Sequence, residues 1–472
     1  MAASSSSSTS QVEELLARLL SNDPTLTSLE VPKMDDPTTL VTALSSNNTV
    51  TKLDLQKIRL RPQDSAWAAT VLTSNSTLTT LQFSRSGVHA QSAKVLATAL
   101  ISNRTLKTLL LDNNGVFAEG CQHLAAALAV NHVLTTLDLS KNSVWHKGAK
   151  HLAKALASNR GLVTLNLHGN KIENKGVAHL ANALLSNSTL TSLDLSENQI
   201  QDKGGRKLAA ALSTNSTITT LNLSGNAMQN GAAAEFAKAL SSNSTLSVLD
   251  LSINEIDDEG IADLAQTLQL NLTLTELHLL GCYITDTGVE LLAVALKSNS
   301  SLTTLNLLDC HDITDTGAGY IADALSSNSS LAVLYLSGEI GRPGAERLAA
   351  GLALNSGLTT LQLHGCIGSQ GASAFAKMLT TNSTLTNLNL SEHEITDEGA
   401  SDLARALTCN STLTEFDLSF NKITDVGAEK VAAALAGNHA LTRLDLSYNK
   451  VGQTGSQLLT AASNPSLISL SL

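Results

Sequence analysis

The side chains with the greatest intrinsic reactivity are five cysteines: Cys121, Cys282, Cys310, Cys366 and Cys409. None belongs to a CxxC pair, and the chain contains no HExxH, GxSxG or GxxxxGKS/T motif. Cys310 is followed directly by His311, but adjacent side chains point apart, whereas a nucleophile and its base must converge. The sequence therefore predicts no catalytic residue and no cofactor.

These residues belong to a chain that repeats itself. Leu162–Thr189 reads LVTLNLHGNKIENKGVAHLANALLSNST, and the next copy begins at Leu190 with LTSLDLSENQIQDKGGRKLAAALSTNST. From Val50 to Leu302 every strand start falls 28 residues after the previous one. A fixed period of this length is typical of arrays in which each unit packs on its neighbours.

Each copy combines two hydrophobic periods. Leu165 and Leu167 flank Asn166, and this alternation predicts a short strand with both leucines on one side. The apolar residues between Val177 and Leu184 are spaced three and four apart, which predicts a helix. Neither half can bury its apolar face alone, so the copies are expected to stack into a sheet layer and a helix layer.

Three further positions have predicted structural roles. Asn170 is expected to bond backbone groups of neighbouring turns, because unpaired buried backbone groups are costly. Gly176 is expected where the helix start approaches the turn closely, and Asn187 where a helix cap adopts a left-handed conformation.

The pattern LxxLxLxxN followed by a helix resembles the leucine-rich repeat. The unit length and the GxxxLAxAL half resemble its ribonuclease-inhibitor-like subtype, which includes the repeat regions of NOD-like receptors and the Ran GTPase-activating protein. This resemblance implies an α/β horseshoe with a parallel sheet on the concave face and helices on the convex face.

The turn position divides the array into a regular and an irregular part. Asparagine occupies it six times in succession, at Asn114, Asn142, Asn170, Asn198, Asn226 and Asn254. Other residues follow it, namely Cys282, Cys310, Glu339, Cys366 and His393. The steps between strand starts also change to 29, 27 and 27 residues between Leu302 and Leu385. We expect the asparagine block to be the more stable part, and the three cysteines to be buried structural thiols rather than a metal site.

Composition narrows the class of partner. The net charge is −11, and aromatic residues make up 3% of the 472 residues. No basic stripe with interleaved aromatic residues is evident, so nucleic acid is not an expected partner. The chain contains no run of about 20 apolar residues, so the sequence predicts no membrane-spanning helix. An odd number of cysteines without a secretion signal predicts a cytoplasmic protein.

The chain divides into three predicted segments. Residues 1–10 form a Ser-rich tail predicted to be disordered, and residues 11–25 a capping helix over the first open end of the core. Residues 26–472 form a single leucine-rich-repeat domain by the resemblance above. Alternatively, the Ser-rich tail is the export signal of a bacterial effector that is delivered into a host cell.

The outward strand positions supply the predicted binding surface. Acidic members include Asp194, Asp250, Asp417 and Asp445, and these are expected to line the concave face. In the middle of the array five other residues interrupt the polar pattern: His278, Leu280, Leu308, Tyr335 and His364. We predict that these five form a patch about 15 Å across that anchors a partner, while the aspartates steer it.

The sequence therefore predicts that the protein is not catalytic and binds a partner protein with a basic or mixed surface. One alternative is a GTPase activator resembling the Ran-specific one, and another is a bacterial effector that binds host proteins. Leu467, Leu470 and Leu472 are also expected to leave an apolar edge that supports weak self-association.

Overall fold

The computed structural model describes residues 3–31, 38–56, 65–462 and 465–472, with side chains described from residue 12 onward. The single repeat domain expected for residues 26–472 divides into two compact units, Met1–Ala227 and Met228–Leu472. Each unit alternates strands and helices along the chain, and each is described separately below.

In the first unit, the strands described are β1 (Ser28–Glu30), β2 (Lys52–Asp54), β3 (Thr80–Gln82), β4 (Thr108–Leu110), β5 (Thr136–Asp138), β6 (Thr164–Asn166), β7 (Ser192–Asp194) and β8 (Thr220–Asn222). The helices are α1 (Ala3–Leu20), α2 (Thr38–Ser46), α3 (Ser65–Ser74), α4 (Ala90–Ser102), α5 (Phe117–Leu128), α6 (Trp145–Leu156), α7 (Glu173–Leu184) and α8 (Asp202–Leu212). Successive strands pair in parallel from β1 to β8.

In the second unit, the strands described are β9 (Val248–Asp250), β10 (Glu276–His278), β11 (Thr304–Leu307), β12 (Val333–Ser337), β13 (Thr360–His364), β14 (Asn387–Asn389), β15 (Glu415–Asp417), β16 (Arg443–Asp445) and β17 (Ser469–Ser471). The helices are α9 (Asn230–Leu240), α10 (Asp258–Leu268), α11 (Asp286–Ser298), α12 (Asp315–Leu325), α13 (Arg342–Leu354), α14 (Gly368–Leu379), α15 (Asp397–Leu407), α16 (Asp425–Leu435) and α17 (Gln453–Ala462). Successive strands again pair in parallel, from β9 to β17.

The core lies between the sheet and the helices of each unit, as the two hydrophobic periods predict. In β6 the central Leu165 is buried, while Thr164 and Asn166 on either side are half-buried. Helix α7 buries its small and aliphatic face, including Val177 and Leu184. Gly176 faces the same core, where a Cβ atom would lie 2.4 Å from Ile172 Cγ2, so its predicted close approach is confirmed.

The predicted asparagine ladder is present in the first unit. Asn170 Nδ2 donates to the carbonyl oxygens of Leu139 at 2.8 Å and Leu167 at 2.9 Å. Its Oδ1 accepts the backbone N–H groups of Asn142 at 2.9 Å and Val144 at 3.1 Å. One buried amide thus satisfies backbone groups of consecutive turns, which the tight turns could not pair by themselves.

The asparagine at the end of each helix has a different role from the predicted one. Asn187 is not among the residues with positive φ, so its cap is not left-handed. Its Nδ2 donates to the Leu156 carbonyl oxygen at 2.8 Å, and its Oδ1 accepts the Leu190 N–H at 2.8 Å. It therefore belongs to a second ladder, which connects helix ends to strand starts, because the carbonyls that end a helix need donors.

A third ladder runs along the helix starts of the second unit. Asp286 Oδ1 accepts the backbone N–H groups of Thr314 at 2.8 Å and Gly317 at 2.9 Å, and its Oδ2 accepts Thr314 Oγ1 at 2.6 Å. Each such aspartate opens one helix and satisfies the start of the next, where unpaired N–H groups favour an anion. This explains the recurrent Asp-x-Gly sequence.

The irregular steps of the sequence change the strands of the second unit. β12 and β13 are five residues long, whereas most of the strands described have three. The shorter repeats convert turn residues into strand, so Cys366 is exposed instead of being buried as a structural thiol. The Glu339 N–H bonds the Ile313 carbonyl at 2.7 Å, so its main chain still joins the neighbouring turn.

The first helix differs from its predicted bounds. α1 begins at Ala3, within the Ser-rich segment predicted to be disordered, and ends at Leu20 rather than at residue 25; residues 1 and 2 lie outside the described part. Serine costs only about 0.5 kcal/mol per residue relative to alanine in a helix, and the segment has no Gly or Pro. Leu19 is fully buried and α1 packs against α2, as expected of a capping helix. None of the helices described combines the length and the apolar character needed to cross a membrane.

Candidate binding surface on the sheet

The exposed face of each sheet carries its outward side chains in rows, because the parallel strands pair in register. In the second unit one row contains all the residues that follow the buried central leucine or phenylalanine of a strand: Asp250, His278, Asn306, Tyr335, Gln362, Asn389, Asp417 and Asp445. In the first unit Asp194 occupies the equivalent position beside Asn166 and Asn222. Within each unit the strand register therefore brings these outward positions into one row.

The aspartates of the row also close the turns after their strands. Asp417 Oδ1 accepts the Ser419 N–H at 2.8 Å, and Asp445 Oδ1 accepts the Ser447 N–H at 2.8 Å. Asp194 and Asp250 make the same bond to the residue two positions later. Where this position carries a short carboxylate or amide, the side chain therefore also serves local structure, which sequence reasoning missed.

Neighbouring carboxylates occur in this row in both units, and in the first unit Glu30 and Asp54 are register partners. Later in the first unit, from Asp138 to Asn222, Asp and Asn alternate, and Asn222 Nδ2 donates to Asp194 Oδ2 at 3.3 Å. Burial raises the pKa of Asp138, and the charge of Asp112 adds to that effect. In the second unit Asp417 and Asp445 are direct register partners. Two neighbouring carboxylates make this end of the second sheet a favourable place for a cation.

The five residues of the predicted patch lie on adjacent strands but not in one cluster. His278 and Tyr335 belong to the row above, with Asn306 between them. Leu280 and Leu308 lie two residues further along, in the turns after β10 and β11. His364 is in register with Ser337, which is buried, so the line from Leu308 to His364 is interrupted.

All five side chains of the predicted patch are half-buried. His278 Nε2 lies 3.4 Å from Glu276 Oε2, and His364 Nε2 lies 2.9 Å from Gln362 Nε2. One ring nitrogen of each histidine is therefore already engaged by a neighbouring side chain of the same strand. The two leucines form an adjacent pair, and Tyr335 stands apart from them in the other row.

Tyr335 instead borders a depression on the sheet of the second unit. This depression has a volume of about 370 Å³ and extends from Tyr335 across Gln362 and Asn389 to Asp417 and Asp445. Of the predicted site residues it includes Tyr335, Asp417 and Asp445, and not His278, Leu280, Leu308, His364 or Asp250.

A network of charged and amide groups forms one wall of the depression. Arg443 Nη1 lies 3.3 Å from Glu415 Oε1, and Asn387 Nδ2 donates to Glu415 Oε2 at 2.8 Å. Asn389 Nδ2 donates to Asp417 Oδ2 at 3.1 Å. The wall offers both hydrogen-bond donors and acceptors, with carboxylates in excess of the single guanidinium.

An exposed aromatic pair follows the two aspartates, and sequence reasoning missed it. The rings of Phe420 and Tyr448 stack with centroids 4.2 Å apart and an interplanar angle of 10°. Phe420 is 50% exposed and Tyr448 is 74% exposed. Each comes three residues after an aspartate of the depression, Asp417 or Asp445.

Both rings stand on backbone that bulky residues rarely adopt. The φ angles are 55° for Phe420 and 58° for Tyr448, in the left-handed region. Gly169 and Gly225 hold two of the equivalent turn positions in the first unit, and Lys141 and Glu197 hold others, also at positive φ. A large exposed aromatic residue at a position suited to glycine is the sequence signal that could have identified this pair.

Two of the cysteines, Cys282 and Cys310, are buried. Burial raises the pKa of the Cys282 thiol to about 11 and that of Cys310 to about 12, so both remain protonated and poorly nucleophilic at neutral pH. Each thiol donates to a carbonyl oxygen at 3.5 Å, Leu251 for Cys282 and Leu279 for Cys310. Within the described ranges, no group of three or more His, Cys, Asp or Glu is placed to hold a metal ion.

Comparison with known families gives a match along most of the array. The model described as "Leucine Rich repeat" matches ten segments: residues 130–153, 158–181, 186–209, 214–237, 242–265, 270–293, 298–322, 381–404, 409–432 and 437–459. Together these segments cover just over half of the chain. No curated protein sequence matches significantly.

Solved structures resemble the chain only distantly. The Rad7–Elc1 complex from yeast matches with 19% identity and a TM-score of 0.47, over 87% of this chain and 88% of that one. The TLR13–ssRNA13 complex matches with 19% identity and a TM-score of 0.47, over 78% of this chain, which spans 49% of that one. An internalin from Listeria monocytogenes matches with 15% identity and a TM-score of 0.37, over 92% and 88%.

Proposed function

Because the chain belongs to the leucine-rich repeat family, we propose that it is a non-catalytic module that binds a partner protein on the exposed sheet face of the second unit. The observation that supports this site is the depression between Tyr335 and the neighbouring carboxylates of Asp417 and Asp445. The exposed face of a regular sheet is uniformly polar. A depression with a tyrosine at one end and two neighbouring aspartates at the other therefore distinguishes the sheet face of the second unit.

The chemistry of the surface favours a partner with a basic or mixed surface. Asp417 and Asp445 attract a lysine or arginine, while Arg443 and the amides of Asn387 and Asn389 accommodate polar groups beside it. The stacked rings of Phe420 and Tyr448 add rigid apolar area, and tyrosine is common among residues that dominate binding energy. We place the Phe420–Tyr448 pair at the border of the binding surface, and His278, Leu280, Leu308 and His364 further along the same sheet.

Two finer assignments form part of the proposal. The 28-residue period with a full helix in each regular repeat supports the ribonuclease-inhibitor-like subtype. The five cysteines are free thiols, which supports a reducing compartment such as the cytoplasm.

The test begins with a partner recovered by pull-down and identified by mass spectrometry, whose affinity is then measured by calorimetry. Leu280→Asp with Tyr335→Ala is expected to abolish binding while the circular dichroism spectrum stays unchanged. Phe420→Ala with Tyr448→Ala is expected to weaken binding about tenfold, because the pair lies at the border of the surface rather than at its centre.

The matched control removes another exposed aromatic pair. Phe117 and Trp145, in the first unit, have ring centroids 5.8 Å apart and are 40% and 43% exposed. Phe117→Ala with Trp145→Ala should leave the affinity within about twofold, because surface contacts outside an interface contribute little. Unchanged affinity of the Leu280→Asp, Tyr335→Ala variant would exclude the sheet surface as the binding site.

A further inference from the structure

Three consecutive helices of the first unit carry an excess of positive charge, although the whole chain is acidic. Helices α6, α7 and α8 carry Lys147, Lys150, Lys154, Lys175, Lys203, Arg206 and Lys207 against two acids, Glu173 and Asp202. Helices α10, α11 and α12 of the second unit show the opposite balance, with Lys297 against Asp258, Glu259, Asp263, Asp286, Glu290, Asp315 and Asp323. The period of the repeat does not require this asymmetry, since the charged positions lie outside the core.

The cations of these three helices surround a groove with a volume of about 730 Å³. Its lining includes His146, Lys175, His179, Lys203 and Lys207. The lysines are exposed and the two histidines are half-buried. The remaining lining consists of Ala178, three amide side chains and a single carboxylate, that of Glu173. The groove is large enough for several residues of an extended chain.

The field inside the groove is positive. The pKa of His179 is lowered, first by burial and then by the charges of Lys150, His146 and Lys207. These groups come from both neighbouring helices, α6 and α8. Asp202 already lies 3.4 Å from Arg206 Nη2, so it compensates that guanidinium rather than the lysines of the groove. A ligand with several negative charges would relieve this mutual repulsion.

We propose that this groove binds an acidic segment of a partner protein, rich in Asp and Glu, in an extended conformation. Exposed lysines act as separate point charges, so they suit a ligand with distributed carboxylates better than one fixed anion. The described lining contains no Phe, Tyr or Trp ring, and its only aromatic groups are the small imidazoles of His146 and His179, which makes base stacking by single-stranded nucleic acid less favoured. The proposal is independent of the sheet surface, because all the lining residues belong to helices and turns of the first unit.

The probe is a fluorescein-labelled poly-glutamate peptide, measured by fluorescence anisotropy on the full chain at neutral pH and low salt. Wild-type protein should bind it, and binding should weaken as salt is raised. Lys175→Gln, Lys203→Gln and Lys207→Gln combined should weaken binding about tenfold, since each exposed charge contributes a modest share. All three side chains are exposed, so the fold should be retained.

A control variant changes the net charge by the same amount elsewhere. Lys238, Lys297 and Lys377 are exposed lysines on helices of the second unit, and their combined change to Gln should alter the affinity less than about twofold. Equal weakening in both variants would overturn the proposal, because it would mean that only net charge matters. Failure of wild-type protein to bind poly-glutamate would also overturn it.

Two further measurements separate the acidic segment from other polyanions. The His179 imidazole, assigned by NMR with His179→Gln, should show a higher pKa when poly-glutamate is bound, because the ligand adds negative charge beside it. Labelled oligo-dT serves as the competing ligand. Tighter binding of oligo-dT than of poly-glutamate, lost in the Lys175, Lys203 and Lys207 variant, would replace the proposal with nucleic-acid binding.

Discussion

The turn ladder is built differently in the two units of the molecule. In the first unit each asparagine from Asn114 to Asn226 provides both an amide donor and a carbonyl acceptor, as the bonds of Asn170 illustrate. In the second unit Cys282, Cys310 and His393 replace it. Cys310 still donates to the carbonyl 31 residues earlier, at 3.5 Å, as Asn170 does at 2.8 Å, but a thiol has no amide oxygen. At Cys282 and Cys310 the donor to the earlier turn is therefore retained, whereas the amide acceptor is lost.

His393 shows that even an imidazole can occupy this buried position. Nε2 lies 2.9 Å from the Leu363 carbonyl oxygen, and Nδ1 lies 3.0 Å from that of Gly365. The His393 N–H donates to Asn421 Oδ1 at 3.1 Å, so the ladder resumes directly at the next step. The departures from asparagine thus preserve the bonds to the preceding turn by different chemistry.

The largest expected effect comes from removing an asparagine of the first unit. Asn170→Ala should lower the free energy of unfolding by about 4 kcal/mol, because several buried backbone groups lose their partners together. Cys310→Ala is the matched change in the second unit and should cost about 1 kcal/mol, since one weak bond and one sulfur atom are lost. Urea unfolding followed by circular dichroism measures both, and equal costs would contradict the difference between the two ladders.

The second effect is a pH dependence confined to His393. Burial lowers its pKa from 6.5 to about 4, against the two carbonyls, which raise it. Between these two values the unfolded chain binds a proton that the folded chain does not, so stability falls as the pH is lowered through this range. The loss should approach about 3 kcal/mol at the acid end and be absent above the unfolded pKa.

His393→Asn provides the control, because asparagine is the residue of the neighbouring steps Asn421 and Asn449. Unfolding measured across the same pH range should lose most of this slope in the variant. If wild type and variant show parallel pH profiles, the acid sensitivity arises from other groups.

The smallest effect is a difference in local opening. Backbone amides between Leu302 and Leu385, where the repeat steps vary, should exchange about tenfold faster than those of the asparagine block from Asn114 to Asn254. Hydrogen exchange resolved by mass spectrometry gives this comparison directly. The reverse order of protection would show that strand length outweighs the ladder, since β12 and β13 are the longest strands described.

Many strands and helices of this fold depend on residue spacing within one repeat, and these elements could be predicted from the sequence. The alternation around Asn166 predicts β6, and the spacing from Val177 to Leu184 predicts α7, because each element needs one apolar face to bury. Leucine, asparagine and glycine recur at positions where only small or specific side chains fit, so the period alone places them.

The candidate site could be predicted only in part. The register of the strands follows from the period, and so the row that includes Asp417 and Asp445 was expected. The interruption between Leu308 and His364 was not, because Ser337, which lies in register with His364 in the lengthened strand β12, is buried. The irregular distances between strand starts are visible in the sequence, but their effect on side-chain packing is not.

By itself, the sequence determined the repeat, its two layers and the polar row on the sheet, because all three depend on spacing within a single unit. The tertiary structure alone decided which side chains from different repeats meet. It stacks Phe420 on Tyr448 and places His179 among the cations of α6 and α8. Such contacts depend on the distance between successive turns and on side-chain direction, which no pattern within a single repeat encodes.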